Sequence, residues 1–409
     1  MYPVEKPEGY NKKTVQKWEE EHLGKEQEQE VKPNVIMVMC EAFSDLANED
    51  VFLWESEEQN PIHEYNKIAN SDRAIAGHIV VSNIYAGTAN TEFDVLTGMP
   101  TNMIAENTTS AFRVVNRDTK SVASLLRENG YRTTLIHPGD SWFYNRDNVY
   151  HHFGVDNRIF NERFDLENDI WGSYVSDEAF LREVKKVIEA ETAPFFMYGV
   201  TIQNHQSYSY YKYVDETSKV PVSKEISDQA MELLSVYLRG TRDSSKMLLG
   251  LTEYIDSLEE PTILVFFGDH LPNLGAENGA YRELGLSIGK TDTVQSIIDT
   301  YTTPYLIYGN TSYCQKLDFE ALEKSLNLPK NGTFSDIYLG ATVLEMLGYT
   351  GQDAYFDFLS YARRELPVFK EKENAYLLGD GSVITELSET QKEIIHKIDW
   401  WEYYRLRDK

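Results

Sequence analysis

The chain has 409 residues, 41% of them hydrophobic, which is enough for one large domain with an appendage or for two domains. Its 39 Lys and Arg against 66 Asp and Glu give a formal charge of −27, which opposes binding to nucleic acid and broad contact with anionic lipid. Two cysteines exclude a disulfide framework. The sequence shows neither a signal-peptide pattern nor an apolar run of the roughly 20 residues that span a bilayer.

Short apolar runs alternate with amphipathic stretches, which predicts an α/β fold with a mostly parallel central sheet flanked by helices. Residues 1–32 are polar and rich in Glu, Lys and Gln, and we interpret them as a helical or flexible leader outside the core. Residues 33–366 are expected to form the main domain. The predicted strands are 34–40, 78–84, 132–137, 195–201, 262–267 and 304–308. The predicted helices are 120–129, 177–190, 224–258 with a break near Gly240, 293–301 and 336–347.

After residue 366 the pattern changes to two short strands and a helix. Residues 375–378 and 382–387 have strand character, and the Gly-Asp-Gly sequence between them provides turn residues, so a β-hairpin is predicted. A last helix starting at Glu389 has apolar residues at helical spacing. Residues 367–409 are therefore predicted to form a small C-terminal α+β subdomain.

An acid and an imidazole follow the predicted strand 262–267, because Gly268 leads directly into Asp269 and His270. In open α/β sheets, ligands bind at the carboxyl ends of the strands. Asp and His are both good ligands for Zn²⁺ or Mn²⁺. Taken alone, Asp269 could equally cap the next turn, and His270 could be an ordinary surface residue.

A carboxylate, Glu41, ends the apolar strand predicted for residues 34–40. A buried carboxylate needs a cation or several hydrogen bonds, although Glu41 could also simply enter the first turn of a helix. Two strands now deliver oxygen and nitrogen ligands to the same edge of the sheet. Together they predict a metal site.

A threonine, Thr88, follows a glycine turn and precedes a segment with helical character. At such a helix N-terminus the backbone N–H groups and the helix dipole favour a phosphate group. A hydroxyl bound to a divalent metal loses its proton easily and becomes a nucleophile. The ordinary alternative is an N-cap threonine.

These elements, strand-Glu, Thr-x-x-x-Glu-Phe and Gly-Asp-His, resemble those of lipoteichoic acid synthases and related phosphoglycerol transferases of the alkaline phosphatase-like superfamily. The stretch Thr-Ala-Asn-Thr-Glu-Phe-Asp-Val-Leu-Thr-Gly at 88–98 is especially similar to relatives that add glycerol phosphate to cell-wall polysaccharides. The resemblance covers the chain from Asn34 to its C-terminus. It implies an alkaline phosphatase-like catalytic domain.

Carried over residue by residue, the resemblance makes Thr88 the nucleophile that becomes phosphoglycerylated. It makes Glu41, Asp269 and His270 the metal ligands, with the Thr88 hydroxyl completing the set. The implied cofactor is one divalent metal ion. Mn²⁺ is favoured, and Zn²⁺ or Mg²⁺ also suits the ligands.

The resemblance also implies a substrate-binding group. The family has a histidine followed, seven residues later, by an aromatic-Asn-Arg-Asp sequence, which His137 and the run from Tyr144 to Asp147 match. Tyr144 stands where the polymer-making enzymes have a tryptophan. His137, Tyr144, Arg146 and, after the next strand, His205 are thus expected to face the substrate. Two imidazoles and a guanidinium suit a phosphodiester, because Arg binds phosphate in a bidentate manner.

The implied reaction transfers glycerol phosphate from phosphatidylglycerol, through a covalent threonine intermediate, to a cell-wall glycopolymer or glycolipid. The relatives have membrane helices before the catalytic domain, so the resemblance implies membrane attachment through an N-terminal region that this sequence lacks. The expected location is the extracellular face of a Gram-positive membrane. We expect a monomer that binds no nucleic acid.

Other activities of the superfamily remain alternatives. Phosphoethanolamine transferases use a threonine and similar ligands, but they usually carry several disulfides, which two cysteines cannot form. A free phosphodiesterase or phosphatase is also compatible with the motifs. A sulfatase would need a Cys/Ser-x-Pro-x-Arg sequence, which surrounds neither Cys40 nor Cys314. A catalytically inactive binding module would be expected to have lost a metal ligand, and all are present.

Overall fold

The structure is a computed structural model that describes residues 4–26, 31–104, 110–192, 194–213 and 218–409. Its strands are β1 (Asn34–Cys40), β2 (Ala74–Val80), β3 (Arg132–Ile136), β4 (Asn157–Ile159), β5 (Ile170–Trp171), β6 (Tyr174–Val175), β7 (Phe195–Val200), β8 (Thr262–Gly268), β9 (Thr302–Gly309), β10 (Thr333–Ser335), β11 (Val368–Lys370), β12 (Ala375–Leu377) and β13 (Val383–Ile384). Its α-helices are α1 (Lys12–His22), α2 (His63–Ala69), α3 (Thr88–Thr97), α4 (Thr101–Ile104), α5 (Val122–Glu128), α6 (Arg146–His152), α7 (Asp177–Ala190), α8 (Asp228–Asp256), α9 (Gly279–Leu284), α10 (Val294–Thr300), α11 (Thr311–Lys316), α12 (Phe319–Leu326), α13 (Ile337–Met346), α14 (Ala354–Glu365) and α15 (Glu389–Tyr403).

An eight-stranded sheet forms the centre of the molecule, in the order β10-β2-β9-β8-β1-β7-β3-β4. The strands β8, β1, β7, β3 and β4 pair in parallel, and β10 pairs in parallel with β2. Strand β9 is antiparallel to both of its neighbours, β8 and β2. The predicted α/β class with a mostly parallel central sheet is confirmed.

The sequence of β1 explains why helices cover both faces of this sheet. Every residue of β1 is buried; Val35, Met37 and Met39 belong to one core cluster, and Ile36, Val38 and Cys40 belong to the other. Successive side chains of a strand point to opposite faces, so a strand that is apolar at every position after its first residue, Asn34, must be covered on both. Helices α3, α5, α13 and α14 contribute to the first cluster, and α2, α7 and α8 to the second.

The register of the central strands sets where the chain leaves the sheet. Cys40 pairs with Gly268, so Glu41 and Asp269 emerge side by side from β1 and β8. Strands β7 and β3 follow in parallel beyond β1, and His137 leaves β3 at the same edge. This is the carboxyl edge, where ligands bind in sheets of this kind.

Two predicted strands differ from the observed ones. The strand predicted at 78–84 is β2, Ala74–Val80. The Val81 N–H still donates to the Tyr301 carbonyl at 2.8 Å, after which the chain turns away from the sheet. The strand predicted at 304–308 exists as β9 but runs antiparallel. Strand direction depends on distant neighbours, which a short apolar run does not reveal.

Helix α8 runs without interruption through Gly240, where a break was expected. A Cβ at this position would lie 2.0 Å from Asn204 Oδ1 and 2.7 Å from the Tyr213 hydroxyl oxygen. The expected break was therefore wrong, because this glycine allows close packing rather than a turn.

The two ends of the chain pack together. The predicted C-terminal hairpin and helix are found as β12, β13 and α15. The N-terminal segment differs from the expected leader outside the core, since Val15 of α1 is fully buried and Trp18 packs on Trp400 with ring centroids 5.5 Å apart. Residues 1–3 and 27–30 of that leader lie outside the described residues. The division at residues 32 and 366 stays a prediction.

Candidate active site

Glu41, Asp269 and His270 come together at the carboxyl ends of β1 and β8. All three are buried, and one ligand atom from each lies within 4.8 Å of the others. His270 Nε2 is 3.1 Å from Asp269 Oδ2 and 3.8 Å from Glu41 Oε1. Two carboxylates and an imidazole directed at one point form a donor set for a divalent cation.

The backbone orients Asp269 so that one carboxylate oxygen stays free. The N–H groups of Ala42 and His270 donate to Oδ1 at 2.7 and 2.9 Å. Oδ2 is buried and accepts no hydrogen bond within the described residues. Gly268 allows the backbone before Asp269 to lie close to that of Phe43, because a Cβ at residue 268 would lie 1.9 Å from the Phe43 carbonyl oxygen. An unpaired buried carboxylate oxygen is costly, so the arrangement fits a bound cation.

The surroundings of His270 and Glu41 support the same interpretation. His270 Nδ1 lies 3.1 Å from the Leu271 carbonyl, which can only accept, so Nδ1 carries a proton and Nε2 is the ring nitrogen that faces the two carboxylates. Burial, and then the neighbouring Asp269 carboxylate, raise the pKa of Glu41. A cation bound between Glu41, Asp269 and His270 would offset both the burial of the Glu41 carboxylate and its repulsion by Asp269.

Thr88 is the first residue of α3, a helix that is buried along its whole length. Its hydroxyl lies 3.5 Å from Glu41 Oε2, to which it donates. One turn further on, the Thr91 hydroxyl donates to the backbone carbonyl of Asp269 at 2.8 Å. The first turn of α3 is thereby fixed to the predicted metal ligands.

Arg146 is buried and is held by Glu92 of α3. Its Nη2 donates to Glu92 Oε1 at 2.6 Å, its Nε lies 3.2 Å from the same oxygen, and the Tyr150 hydroxyl donates to Oε2 at 2.6 Å. No side chain in the described ranges accepts from Nη1 of Arg146, so one edge of the guanidinium remains for a ligand. The Tyr144 ring lies 5.2 Å from the guanidinium carbon.

His137 follows β3 and is buried. Its Nδ1 lies 3.1 Å from the Val200 carbonyl, so Nδ1 carries the proton and donates. Burial, and then the charge of Arg146, lower the pKa of His137 well below its ordinary value. His137 is therefore neutral and presents Nε2 as a hydrogen-bond acceptor.

His205 lies on the loop after β7 and is half-buried. The Gln206 carbonyl and the Tyr174 hydroxyl lie 2.8 and 3.1 Å from its Nδ1. The buried Lys212 ammonium donates to the backbone carbonyl of His205 at 2.6 Å. Burial lowers the pKa of Lys212 to about 8.

One cavity of about 440 Å³ adjoins this site. Of the residues predicted from the sequence, Asp269 is fully buried and does not line the cavity, whereas the others do. Those lining residues are Glu41, Thr88, His137, Tyr144, Arg146, His205 and His270. A second cavity, of about 600 Å³, lies beside α15 and is lined by none of them.

Two residues of the site were not predicted. Glu92 belongs to the Thr-x-x-x-Glu-Phe motif, but no function was predicted for it. Positions four apart share a helix face, so Glu92 lies on the same face of α3 as Thr88. Lys212 stands among tyrosines in a polar segment, where nothing local indicates that the loop folds over its side chain. Its ammonium faces the rings of Tyr174, Tyr208 and Tyr213.

The sequence model of the sulfatase family matches residues 33–349. The chain belongs to the sulfatase family. The formylglycine sequence of sulfatases is nevertheless absent around both cysteines of this family member.

Two curated relatives of this sulfatase-family chain are informative. A protein of Rhizobium meliloti (strain 1021), named for cyclic β-1,2-glucan modification, is 28% identical over 78% of this chain and 46% of its own length. The lipoteichoic acid synthase of Staphylococcus saprophyticus is 25% identical over 58% of this chain and 36% of its own length. The chain thus matches less than half the length of either relative.

Solved structures share the fold. The phosphoglycerol transferase GacH of Streptococcus pyogenes, in complex with sn-glycerol-1-phosphate, superposes with a TM-score of 0.73 at 20% identity, covering 98% of this chain and 95% of that one. The lipoteichoic acid synthase LtaP of Listeria monocytogenes gives 0.66 at 18% identity, with 97% and 98% covered. An alkaline phosphatase superfamily protein of Vibrio parahaemolyticus gives 0.58 at 13% identity, with 93% and 89% covered.

These comparisons confirm the resemblance to lipoteichoic acid synthases and the alkaline phosphatase-like fold. The related phosphoglycerol transferases are enzymes. Within the described part of the chain, no helix combines the length and apolar character needed to cross a bilayer.

Proposed function

We propose that this chain transfers glycerol phosphate from phosphatidylglycerol to a cell-wall polymer or glycolipid through a covalent intermediate on Thr88. The observation that carries the proposal is that one cavity is lined by Thr88, Arg146 and two of the predicted metal ligands, and that the third ligand, Asp269, is clustered with those two. Similarity to lipoteichoic acid synthases, and to a transferase whose structure contains sn-glycerol-1-phosphate, supports this reaction over others of the same fold.

Glu41, Asp269, His270 and the Thr88 hydroxyl would hold one divalent cation, with Mn²⁺ the first choice and Zn²⁺ or Mg²⁺ the alternatives. The fit rests on the buried Asp269 Oδ2, which lacks a hydrogen-bond partner within the described residues, and on His270, whose Nδ1 is engaged by a carbonyl while Nε2 faces the carboxylates. When bound, the cation would supply charge stabilisation at the phosphoryl oxygens and promote ionisation of the threonine hydroxyl.

Arg146 and His137 would bind the glycerol phosphate. The free Nη1 of Arg146 donates to a phosphoryl oxygen, while Glu92 keeps the guanidinium plane fixed. The neutral His137 accepts a hydrogen bond at Nε2 from a glycerol hydroxyl. The first turn of α3 adds backbone N–H groups that favour the phosphate.

Thr88 and His205 would carry the reaction. In the first half, the Thr88 oxygen forms a bond to phosphorus, and the bond from phosphorus to the diacylglycerol oxygen breaks. His205 takes the Thr88 proton and passes it to the departing oxygen. In the second half, an acceptor hydroxyl gives its proton to His205 and attacks phosphorus, and the Thr88 oxygen leaves and recovers that proton.

The resemblance to lipoteichoic acid synthases supports the proposed setting. We place the catalytic domain on the extracellular face of a Gram-positive membrane, attached through a preceding membrane region and acting as a monomer. Residues 33–366 would be the catalytic domain and 367–409 its C-terminal subdomain. The charge of −27 agrees with an enzyme that binds no nucleic acid.

The test is to supply phosphatidylglycerol labelled in the headgroup, together with candidate cell-wall polymers and glycolipids, and to follow the label. We expect label on an acceptor only when a divalent metal is present. Release of free glycerol phosphate at the same rate without an acceptor would favour a phosphodiesterase instead. Transfer from labelled phosphatidylethanolamine, and none from phosphatidylglycerol, would favour phosphoethanolamine transfer.

A further inference from the structure

Exposed large apolar side chains concentrate at the mouth of the catalytic cavity. Trp142, Phe143, Leu166 and Ile170 have 72, 48, 53 and 37% of their surface exposed, and all four line the cavity that contains Thr88 and Arg146. Other exposed large apolar residues in the described part of the chain, such as Leu53 and Val383, lie elsewhere. Isolated exposed apolar residues are normal, whereas a group beside a binding site indicates an interaction surface. We call these four residues the apolar rim.

The two aromatic residues of the apolar rim are in contact with the residues that would face the phosphate. The ring centroids of Trp142 and Phe143 are 5.8 Å apart, and those of Phe143 and Tyr144 are 4.5 Å apart. The Tyr144 ring in turn lies 5.2 Å from the guanidinium carbon of Arg146. A row of aromatic rings therefore leads from the exposed surface to the Arg146 guanidinium, which would bind the phosphate.

A glycerol phosphate headgroup does not need an apolar surface, because polar side chains deeper in the cavity would bind its polar atoms. Leu166 and Ile170 are aliphatic, so they offer no flat ring on which a sugar could stack. Aliphatic and aromatic side chains together suit a ligand that carries hydrocarbon.

We propose that the apolar rim binds the acylglycerol part of a phospholipid donor. The cavity then holds the headgroup, and the parts of the acyl chains nearest the glycerol lie against the rim. This inference rests on the proposed function, since it assigns a further part of the same substrate. It makes the donor's hydrocarbon, and not only its headgroup, a determinant of which molecules react.

The charges near the rim indicate which force holds the lipid. Asp140, Asp165 and Glu167 are exposed beside the rim residues, and the whole chain carries a formal charge of −27. Attraction to an anionic bilayer cannot supply the binding with this charge. Burial of apolar surface must supply it, so contact with vesicles should depend little on salt concentration.

Two leucines provide a matched pair for the test. Leu166 in the rim and Leu53 outside the cavity are 53 and 54% exposed. We compare Leu166→Ser, Trp142→Ser and Leu53→Ser, using long-chain phosphatidylglycerol in vesicles and a water-soluble glycerophosphoryl p-nitrophenyl ester as donors. The rim variants should lose kcat/KM by about tenfold more on the long-chain donor than on the ester, because apolar contact is lost only with the former. Leu53→Ser should match the wild type on both donors.

Equal losses on both donors, or no loss on either, would overturn the proposal. A loss that follows the concentration of a glycan acceptor instead would assign the rim to the acceptor and also overturn it.

Flotation with phosphatidylcholine vesicles separates this inference from the proposed reaction, because it needs no turnover. Salt-insensitive binding by the wild type that Leu166→Ser weakens would support the apolar rim even if neither donor reacts. Absence of vesicle binding by an enzyme that turns over the soluble ester would overturn the rim and leave the reaction standing.

Discussion

Arg146 and Glu92 form a buried ion pair, with Nη2 and Oε1 2.6 Å apart and side chains that are 3 and 0% exposed. Arg146 begins α6, and Glu92 lies on α3 one turn after Thr88. The contact therefore joins the segment that would bind the phosphate to the helix that carries the proposed nucleophile. A carboxylate so placed fixes both the orientation of the guanidinium and the position of the helix.

Glu92→Ala should lower the free energy of unfolding by about 3–5 kcal/mol, because it leaves a buried guanidinium without its partner. Glu92→Gln should cost less, since an amide oxygen can still accept from Arg146. Urea unfolding followed by circular dichroism measures both. Glu320→Ala is the control, because its pair with Lys324 is exposed, and it should leave the midpoint unchanged. Equal midpoints for Glu92→Ala and Glu320→Ala would contradict the structure.

Asp269→Asn should abolish binding of a divalent metal while preserving the fold. The amide oxygen can still accept from the N–H groups of Ala42 and His270, but an NH₂ group replaces the free Oδ2 and cannot bind a cation. Titration calorimetry with Mn²⁺ and Zn²⁺ after treatment with a chelator gives the stoichiometry. The wild type should bind one ion, and Asp256→Asn, which lies on α8, should do the same. Full occupancy in Asp269→Asn would remove this residue from the ligand set.

Thr88→Ala should eliminate transfer and prevent any covalent adduct, yet retain substrate binding through Arg146 and His137. Thr88→Ser should keep partial activity, because it preserves the hydroxyl and loses only the methyl group that restricts the rotamer. Intact-mass spectrometry after incubation with phosphatidylglycerol, followed by peptide mapping, locates the adduct. An adduct on Thr91 or Thr97 would show that the nucleophile is misassigned. Turnover without any adduct would favour direct attack by water or acceptor.

The stability of the protein should fall as the pH rises from about 4 to about 7, in part because of Asp177. Burial raises the pKa of this carboxyl from 3.8 to about 7 in the folded state. The folded state thus holds the proton more tightly than the unfolded state, and ionisation above the unfolded pKa opposes folding, by at most roughly 4 kcal/mol for three pKa units. Asp177→Asn removes the titration and should flatten this part of the profile, measured by urea unfolding at each pH. A variant profile as steep as the wild type would argue against the assignment.

Two glycines of α8 should respond differently to alanine. Helix propensity favours alanine at both by about 1 kcal/mol. A Cβ at residue 240 would meet Asn204 Oδ1 at 2.0 Å, whereas one at residue 250 would meet only the end of the Leu181 side chain, at 2.8 Å. Gly240→Ala should therefore destabilise the protein by about 1–3 kcal/mol, and Gly250→Ala should be neutral or stabilising. Thermal unfolding of the pair tests this, and a stabilising Gly240→Ala would contradict the observed packing.

Local sequence was sufficient where the structure depends on burial alone. Strand β1 is apolar at every position after Asn34, so its bounds and its place within the sheet follow from its composition. The candidate site could be predicted for a related reason: strands that run in parallel leave the sheet at one edge, so residues that follow strand ends, such as Glu41 and Asp269, meet there.

Local sequence was insufficient where a residue acts through a distant contact. The direction of β9 is set by its pairing with β2 and β8, and the role of Gly240 by a loop that packs on the helix from elsewhere. From the sequence alone Lys212 would be expected on the surface, but the fold buries it. The apolar rim is likewise composed of residues from two separate segments of the chain, 142–143 and 166–170, and none of them alone indicates a binding surface.

The packing of α1 against α15 brings the beginning and the end of the described chain to one place. The Tyr10 hydroxyl donates to Asp408 Oδ2 at 3.0 Å, and Lys409 Nζ donates to Glu19 Oε1 at 2.6 Å. A short linker could therefore join the two ends into a ring, with new ends opened at an exposed turn such as the one at Asp380. The order of the strands along the chain could thus be changed without changing their arrangement in the sheet. A tether attached at either end would hold the molecule from the same point.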